Sequence, residues 1–300
     1  EYESVFLYSD IDLDAILSQK TVTLKSNSFL LLSYHEKLAE QTLDRSYLKF
    51  QRTKTYWMNW SARTTTYPLY QKEIVRSALT LKALTFERTG AVLAAATTSL
   101  PETIGEVRNW DYRFCWVRDA SMVIRVITGL GHVKSAKKFL QFIIHTIPDK
   151  DEKIQIMYGI NGEKDLTEEF LDHLSGYENS SPVRIGNAAY AQKQNDIYGI
   201  LMEVIFQQFD QFETSIENSE ELWTIIKSIT AIVKKHWQEA DKGIWELRTE
   251  ERHFVFSKLL CWVAIDRAIK ISEILKRSKY LEEWHELRND IYQDIYINGW

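Results

Sequence analysis

From about residue 65 onward, apolar side chains recur at intervals of three and four, the spacing that lines one face of an α-helix. Ile74, Ala78, Leu81 and Leu84 begin the series, then Val123, Ile127 and Leu130, then Ala136, Phe139, Leu140, Ile143 and Ile147 before Pro148. The pattern returns at Ile197, Leu201, Val204 and Ile205, at Leu222, Ile225, Ile226, Ile229, Ile232 and Val233, and at Leu260, Val263, Ala264, Ile271, Ile274 and Leu275; Trp284, Leu287 and Ile291 open one more helix. Apolar faces this wide belong to helices that pack on more than one neighbour. The spacing therefore predicts a mainly α fold, a helical barrel or a helical array. Residues 1–40 read differently. Val5-Phe6-Leu7-Tyr8, Thr21-Val22-Thr23-Leu24 and Phe29-Leu30-Leu31-Leu32 are short apolar or β-branched runs between polar residues, the pattern of strands. Residues 41–66 read as a linker, and 67–300 as the helical domain.

A hydrophobic share of 45% and a charged share of 26% are those of a globular domain. A net charge of −5 argues against nucleic acid or an anionic membrane as partner. No apolar run approaches the roughly 20 residues that span a bilayer. The two cysteines, Cys115 and Cys261, form no disulfide framework, which fits either a reducing, cytoplasmic setting or simple indifference to redox. No His/Cys cluster has metal-ligand spacing. The chain begins with Glu, not Met, so the lack of a leader says nothing about targeting.

Chemistry concentrates in Arg108–Asp119, a run of twelve residues holding three arginines, two aspartates, two tryptophans and a tyrosine. A core helix has no use for these charges, and a solvated loop has no use for these rings. A sugar site uses both: carboxylates and guanidiniums hydrogen-bond hydroxyls in fixed geometry, and flat rings cover the C–H faces of a pyranose. The competing reading is a buried ion-pair network beneath packed aromatics.

Ser99-Leu100-Pro101-Glu102 precedes the run. Ile154–Glu163, Leu171–Tyr177, Pro182–Asn187, Gly243-Ile244-Trp245-Glu246 and Arg252-His253-Phe254 follow it. In this order, from about residue 45 to 300, these motifs resemble glycoside hydrolase family 15, in particular its prokaryotic branch of glucoamylases, glucodextranases and trehalases. The resemblance implies an (α/α)6 barrel, here in part, preceded by the end of a β-sandwich at residues 1–40. It implies an inverting, exo-acting α-glucoside hydrolase that removes glucose from a non-reducing end. No cofactor is implied, because side chains make both proton transfers.

Such a reaction needs a protonated acid at the leaving oxygen and a base for the attacking water. The resemblance makes Glu246, after Trp245, the general acid; a loop-edge pairing with Arg248 is the alternative. Arg118 and Asp119 match the pair that clamps hydroxyls of the terminal glucose, although Asp119 also suits the N-cap of a helix starting near Ala120. Tyr112 and Trp116 resemble rings lining the −1 pocket, with core packing as the alternative, and Trp110 reads as a wall. His253 reads equally as a sugar contact or a structural histidine. Gln194, Asp196, Glu102 and Lys258 are weaker candidates, and Trp262 reads as core. The family's general base lies in the C-terminal part of the barrel. None of Glu250, Glu251, Glu273, Glu282, Glu283 or Glu286 sits in its motif, so the base is expected beyond residue 300. Two rival readings keep the fold without the chemistry: a non-catalytic carbohydrate-binding or regulatory module, and a plain helical scaffold.

Overall fold

A computed structural model describes residues 4–147, 154–211 and 216–299. The chain divides into two compact units at Thr64/Thr65. In the first, β1 (Val5–Ser9) pairs antiparallel with β2 (Leu30–Tyr34), Val5 opposite Tyr34 and Ser9 opposite Leu30. A short helix, α1 (Leu13–Leu17), lies between them, capped by Asp12, whose side chain accepts from the Asp14 N–H. Two of the three apolar runs are thus strands; Thr21–Leu24 is not. The stretch read as a linker contains a 19-residue helix, α2 (Leu43–Ser61). Thr42 caps it by accepting from the Arg45 N–H, and Asp44 complements the positive end of the helix dipole. Leu43, Tyr47 and Phe50 keep helical spacing, but the polar stretch Gln51–Thr55 interrupts it, and of its residues only Trp60 is buried.

The second unit is mainly α. It runs α3 (Gln71–Ala83), β3 (Cys115–Trp116), α4 (Val117–Gly129), α5 (Val133–Thr146), β4 (Met157–Tyr158), β5 (Glu169–Phe170), β6 (Arg184–Ile185), α6 (Asp196–Gln211), α7 (Ile216–His236), α8 (Val255–Ile274) and α9 (Leu281–Asn298). β3 pairs with β4 and β5 with β6, both antiparallel and both two residues long. Every helix anticipated from the apolar period is present.

Packing follows from which faces are apolar. α8 buries residues around most of its circumference, among them Cys261, Ala264, Ile265, Ala268, Ile269 and Ile271. It is the hub, packing against α6, α7 and α9, while α4 joins α6 to α5. α6 and α8 approach closely because residue 199 is glycine: a Cβ there would stand 2.2 Å from the Leu260 carbonyl oxygen. Ile124, Ile127, Phe139, Ile143, Ile205, Ile226, Ile229 and Ile265 are essentially sealed from water. Each contributes about 1.5–3 kcal/mol of burial energy to a scaffold that fixes where the intervening loops emerge.

Candidate active site

The Arg108–Asp119 run is held by its own chemistry. Asp111, fully buried, accepts from Arg113 Nε at 2.9 Å and Nη2 at 2.8 Å, and from the Gly186 N–H at 3.1 Å. Arg184 donates to the carbonyls of Val107 at 2.9 Å and Asn109 at 3.1 Å. Ser99 Oγ donates to the Arg184 carbonyl and accepts its N–H, at 2.9 and 2.7 Å. The Ser-Leu-Pro-Glu and Pro-Val-Arg-Ile-Gly-Asn motifs are therefore the splints of the run. Asp111 is buried, but its partner Arg113 is 44% exposed, so this pair anchors the run at the surface.

β3 and the start of α4 deliver the residues that follow. Trp116 is 3% exposed, and its ring lies 5.9 Å from that of Tyr112. Its Nε1–H donates to Glu246 Oε1 at 2.7 Å, although 130 residues separate the two. Arg118, the second residue of the helix, sends Nη2 to the same Oε1 at 3.3 Å and Nη1 to Gln194 Oε1 at 3.0 Å, and pairs with Asp119 Oδ2 at 3.1 Å. α4 starts at Val117 with Trp116 as its cap, so Asp119 sits in the first turn and is not the N-cap.

Glu246 lies in the loop between α7 and α8. Asp241 and Arg252 close that loop with a pair of backbone hydrogen bonds, and Lys242 N–H donates to the Lys193 carbonyl. Asp241 is buried and its Oδ2 accepts the Asn195 N–H at 2.7 Å. Burial raises its carboxyl above the usual range despite that donor. Glu246 itself has φ of +52°, a left-handed conformation that is costly for a residue with a Cβ. Gln192 Nε2 holds its carbonyl at 3.2 Å. Neither side-chain contact of Glu246 uses Oε2.

A cavity of about 800 Å³ opens here, lined by Tyr112, Arg118, Trp245 and Glu246 together with Glu102, Trp110 and Arg248. Trp245 is 80% exposed, an apolar ring presented to solvent at the cavity wall. Tyr112 has its hydroxyl pKa raised, first by burial and then by the charges of Glu102 and Glu246. Trp116 and Asp119 reach the cavity only through Glu246 and Arg118. His253 does not line it; this exposed side chain interacts with the charge of Asp294. Lys258 pairs with the same Asp294, and Trp262 packs against the core. Arg248 does not pair with Glu246: its guanidinium grips Glu168, at 2.9 and 3.3 Å.

Sequence reading gave Gln192, Glu168 and Arg184 no role, and Asp196 only a weak one. Asp196 begins α6 and is fully buried, its carboxyl meeting no side-chain partner and only its own backbone N–H. Burial pushes it up to about 6; Arg118 pulls the other way, and the charges of Asp241 and Glu246 add to the rise. Glu168 goes in the opposite direction: burial opposes its charge, but hydrogen bonds from Arg248 and the Ala188 N–H, with both nearby guanidiniums, hold it below the usual range. Among the described residues no group of His, Cys, Asp or Glu could hold a metal ion, and no helix is long and apolar enough to cross a membrane.

The model of the glycosyl hydrolases family 15 matches residues 68–299. A protein named trehalase from Mycolicibacterium smegmatis is 40% identical over 93% of this chain and 42% of its own length. Another trehalase, from Thermoplasma volcanium, is 35% identical over 99% of this chain and 48% of its own. Among solved structures, a glucoamylase from Saccharomycopsis fibuligera superposes with a TM-score of 0.49 at 14% identity, over 83% of this chain and 48% of that one. The chain thus spans less than half the length of the curated relatives it matches.

Proposed function

We propose, because this chain belongs to the glycosyl hydrolases family 15, that the whole protein is an inverting, exo-acting α-glucoside hydrolase and that its substrate is trehalose. The names of the curated relatives favour trehalose over starch ends or isomalto-oligosaccharides. α3–α9 form part of the (α/α)6 barrel that the family carries.

One observation carries the mechanism. Both donors to Glu246, Trp116 Nε1 and Arg118 Nη2, converge on Oε1, so Oε2 is left to bear the proton. In this reading Glu246 is the general acid, delivering that proton from Oε2 to the glycosidic oxygen as the bond breaks. Arg118 holds adjacent hydroxyls of the glucose in the −1 site through its planar fork, with Asp119 paired to it from outside the cavity lining. Tyr112 and Trp116 shape that site, and Trp245 offers a face to the departing sugar. A water activated by a second carboxylate, supplied by the protein beyond residue 300, attacks the anomeric carbon from the opposite side. Inversion sets the two carboxyls about 6.5–9.5 Å apart to make room for it. The free, buried Cys115 and Cys261 fit a cytoplasmic location.

Proton NMR during early hydrolysis of trehalose by the whole protein tests this. The attacked ring is released as β-glucose and the leaving ring keeps its α configuration, so the two anomers should appear in equal amounts. Initial α-glucose alone means retention and refutes the mechanism. Absence of turnover on any α-glucoside leaves the non-catalytic carbohydrate-binding module.

A further inference from the structure

Glu246 sits in a strained turn, and the Gln192 contact reaches only its backbone. A second tether is anchored two residues on. Arg248 lies with its guanidinium carbon 4.2 Å from the centre of the Trp110 ring, and Arg184 lies 4.5 Å from the same centre. Two cations over one ring repel each other. Glu168 resolves this: its carboxylate takes both Nη atoms of Arg248, at 2.9 and 3.3 Å, and its Oε1 is 3.5 Å from Arg184 Nε. The Ala188 N–H donates to Oε2 at 3.3 Å. The Glu168 and Arg184 side chains are 9% and 8% exposed, whereas Arg248 is 48% exposed. Arg184 is in turn fastened to the backbone of Val107 and Asn109. A continuous chain of contacts therefore runs from the Arg108–Asp119 run through Arg184 and Glu168 to Arg248, and so to the turn that carries Glu246.

We infer that Glu168 is a positioning residue for the acid: acting through Arg248, it holds the 243–248 turn so that the Glu246 carboxyl stays against Trp116 and Arg118. This rests on the reading of Glu246 as general acid. Without the Glu168 charge, Arg184 and Arg248 are left uncompensated on one ring. Arg248, the more exposed, moves off and takes the turn with it. Misplacing a catalytic group by an ångström costs up to about 100-fold.

The experiment compares trehalose, whose sugar leaving group needs a proton, with α-glucosyl fluoride, whose fluoride needs little help. The whole enzyme is used, with Glu246→Gln as reference. Glu168→Gln is expected to lose about 10- to 100-fold in kcat on trehalose and at least several-fold less on the fluoride. Arg248→Lys, at a half-exposed position that tolerates change in folding, should show the same split. The double variant should be no worse than Arg248→Lys within about threefold, since both act on one path. Equal losses on the two substrates, unchanged activity, or additive losses in the double variant overturn the inference. If Glu246→Gln itself shows no split, the acid assignment fails and takes this one with it. If Glu246→Gln shows the split and Glu168→Gln does not, the acid stands and Glu168 is merely structural.

Discussion

Asp196→Asn isolates one buried charge. The native carboxyl is sealed at the start of α6 without a side-chain partner, and its pKa rises from 3.8 to about 6, first through burial and then through the Asp241 and Glu246 charges, against the pull of Arg118 and of its own backbone N–H. The sign follows from proton counting. Between these two values the folded protein binds more proton at this site than the unfolded chain, so stability falls as pH rises. The contribution is fully present below 3.8 and lost as pH passes through about 6. At 1.36 kcal/mol per unit, the whole span is about 3 kcal/mol, of which about 2 kcal/mol falls between about pH 4.5 and pH 8. An amide of the same shape does not titrate. Urea unfolding of wild type and Asp196→Asn, followed by tryptophan fluorescence at both pH values, reads the difference; titration of other groups is common to both and cancels. The variant should gain about 2 kcal/mol relative to wild type on going from the lower to the higher pH. A gap between the two proteins that does not change with pH would refute the argument that burial of Asp196 outweighs the pull of Arg118.

Two further substitutions probe the site. Arg118→Lys replaces a fork that meets Gln194, Asp119 and Glu246 with a single ammonium, so kcat/KM on trehalose should drop by about 100-fold or more, at 1.5–3 kcal/mol per charged hydrogen bond; a loss under tenfold contradicts the clamp. Gly243→Ala puts a Cβ 2.8 Å from the Phe254 ring at φ of +62°, which should lower stability by about 1–3 kcal/mol and activity at least tenfold; an unchanged thermal midpoint would show that the turn relaxes freely.

The helices of the second unit were legible because burial repeats along a helix every three to four residues, and Ile124, Ile143, Ile205 and Ile229 report their own environment locally. The aromatic and charged run around Trp116 and Arg118 stood out for a different reason: its composition suits neither core nor solvent, and Tyr112 and Arg118 of that run line the cavity. α2 was not legible, since the polar stretch Gln51–Thr55 breaks the spacing of Leu43, Tyr47 and Phe50 and only Trp60 is buried. His253 follows Glu246 closely in sequence, yet it is exposed and does not line the cavity. Conversely, Trp116 meets Glu246 across 130 residues and Glu168 meets Arg248 across 80. Residue types and short-range spacing are written in the sequence. Which carboxylate receives two donors, which receives a pair of arginines, and which is buried with none depends on how α4, α6 and the loop between α7 and α8 pack. Electrostatic energies in a low-dielectric interior vary with distances of an ångström, a scale that only the folded chain defines.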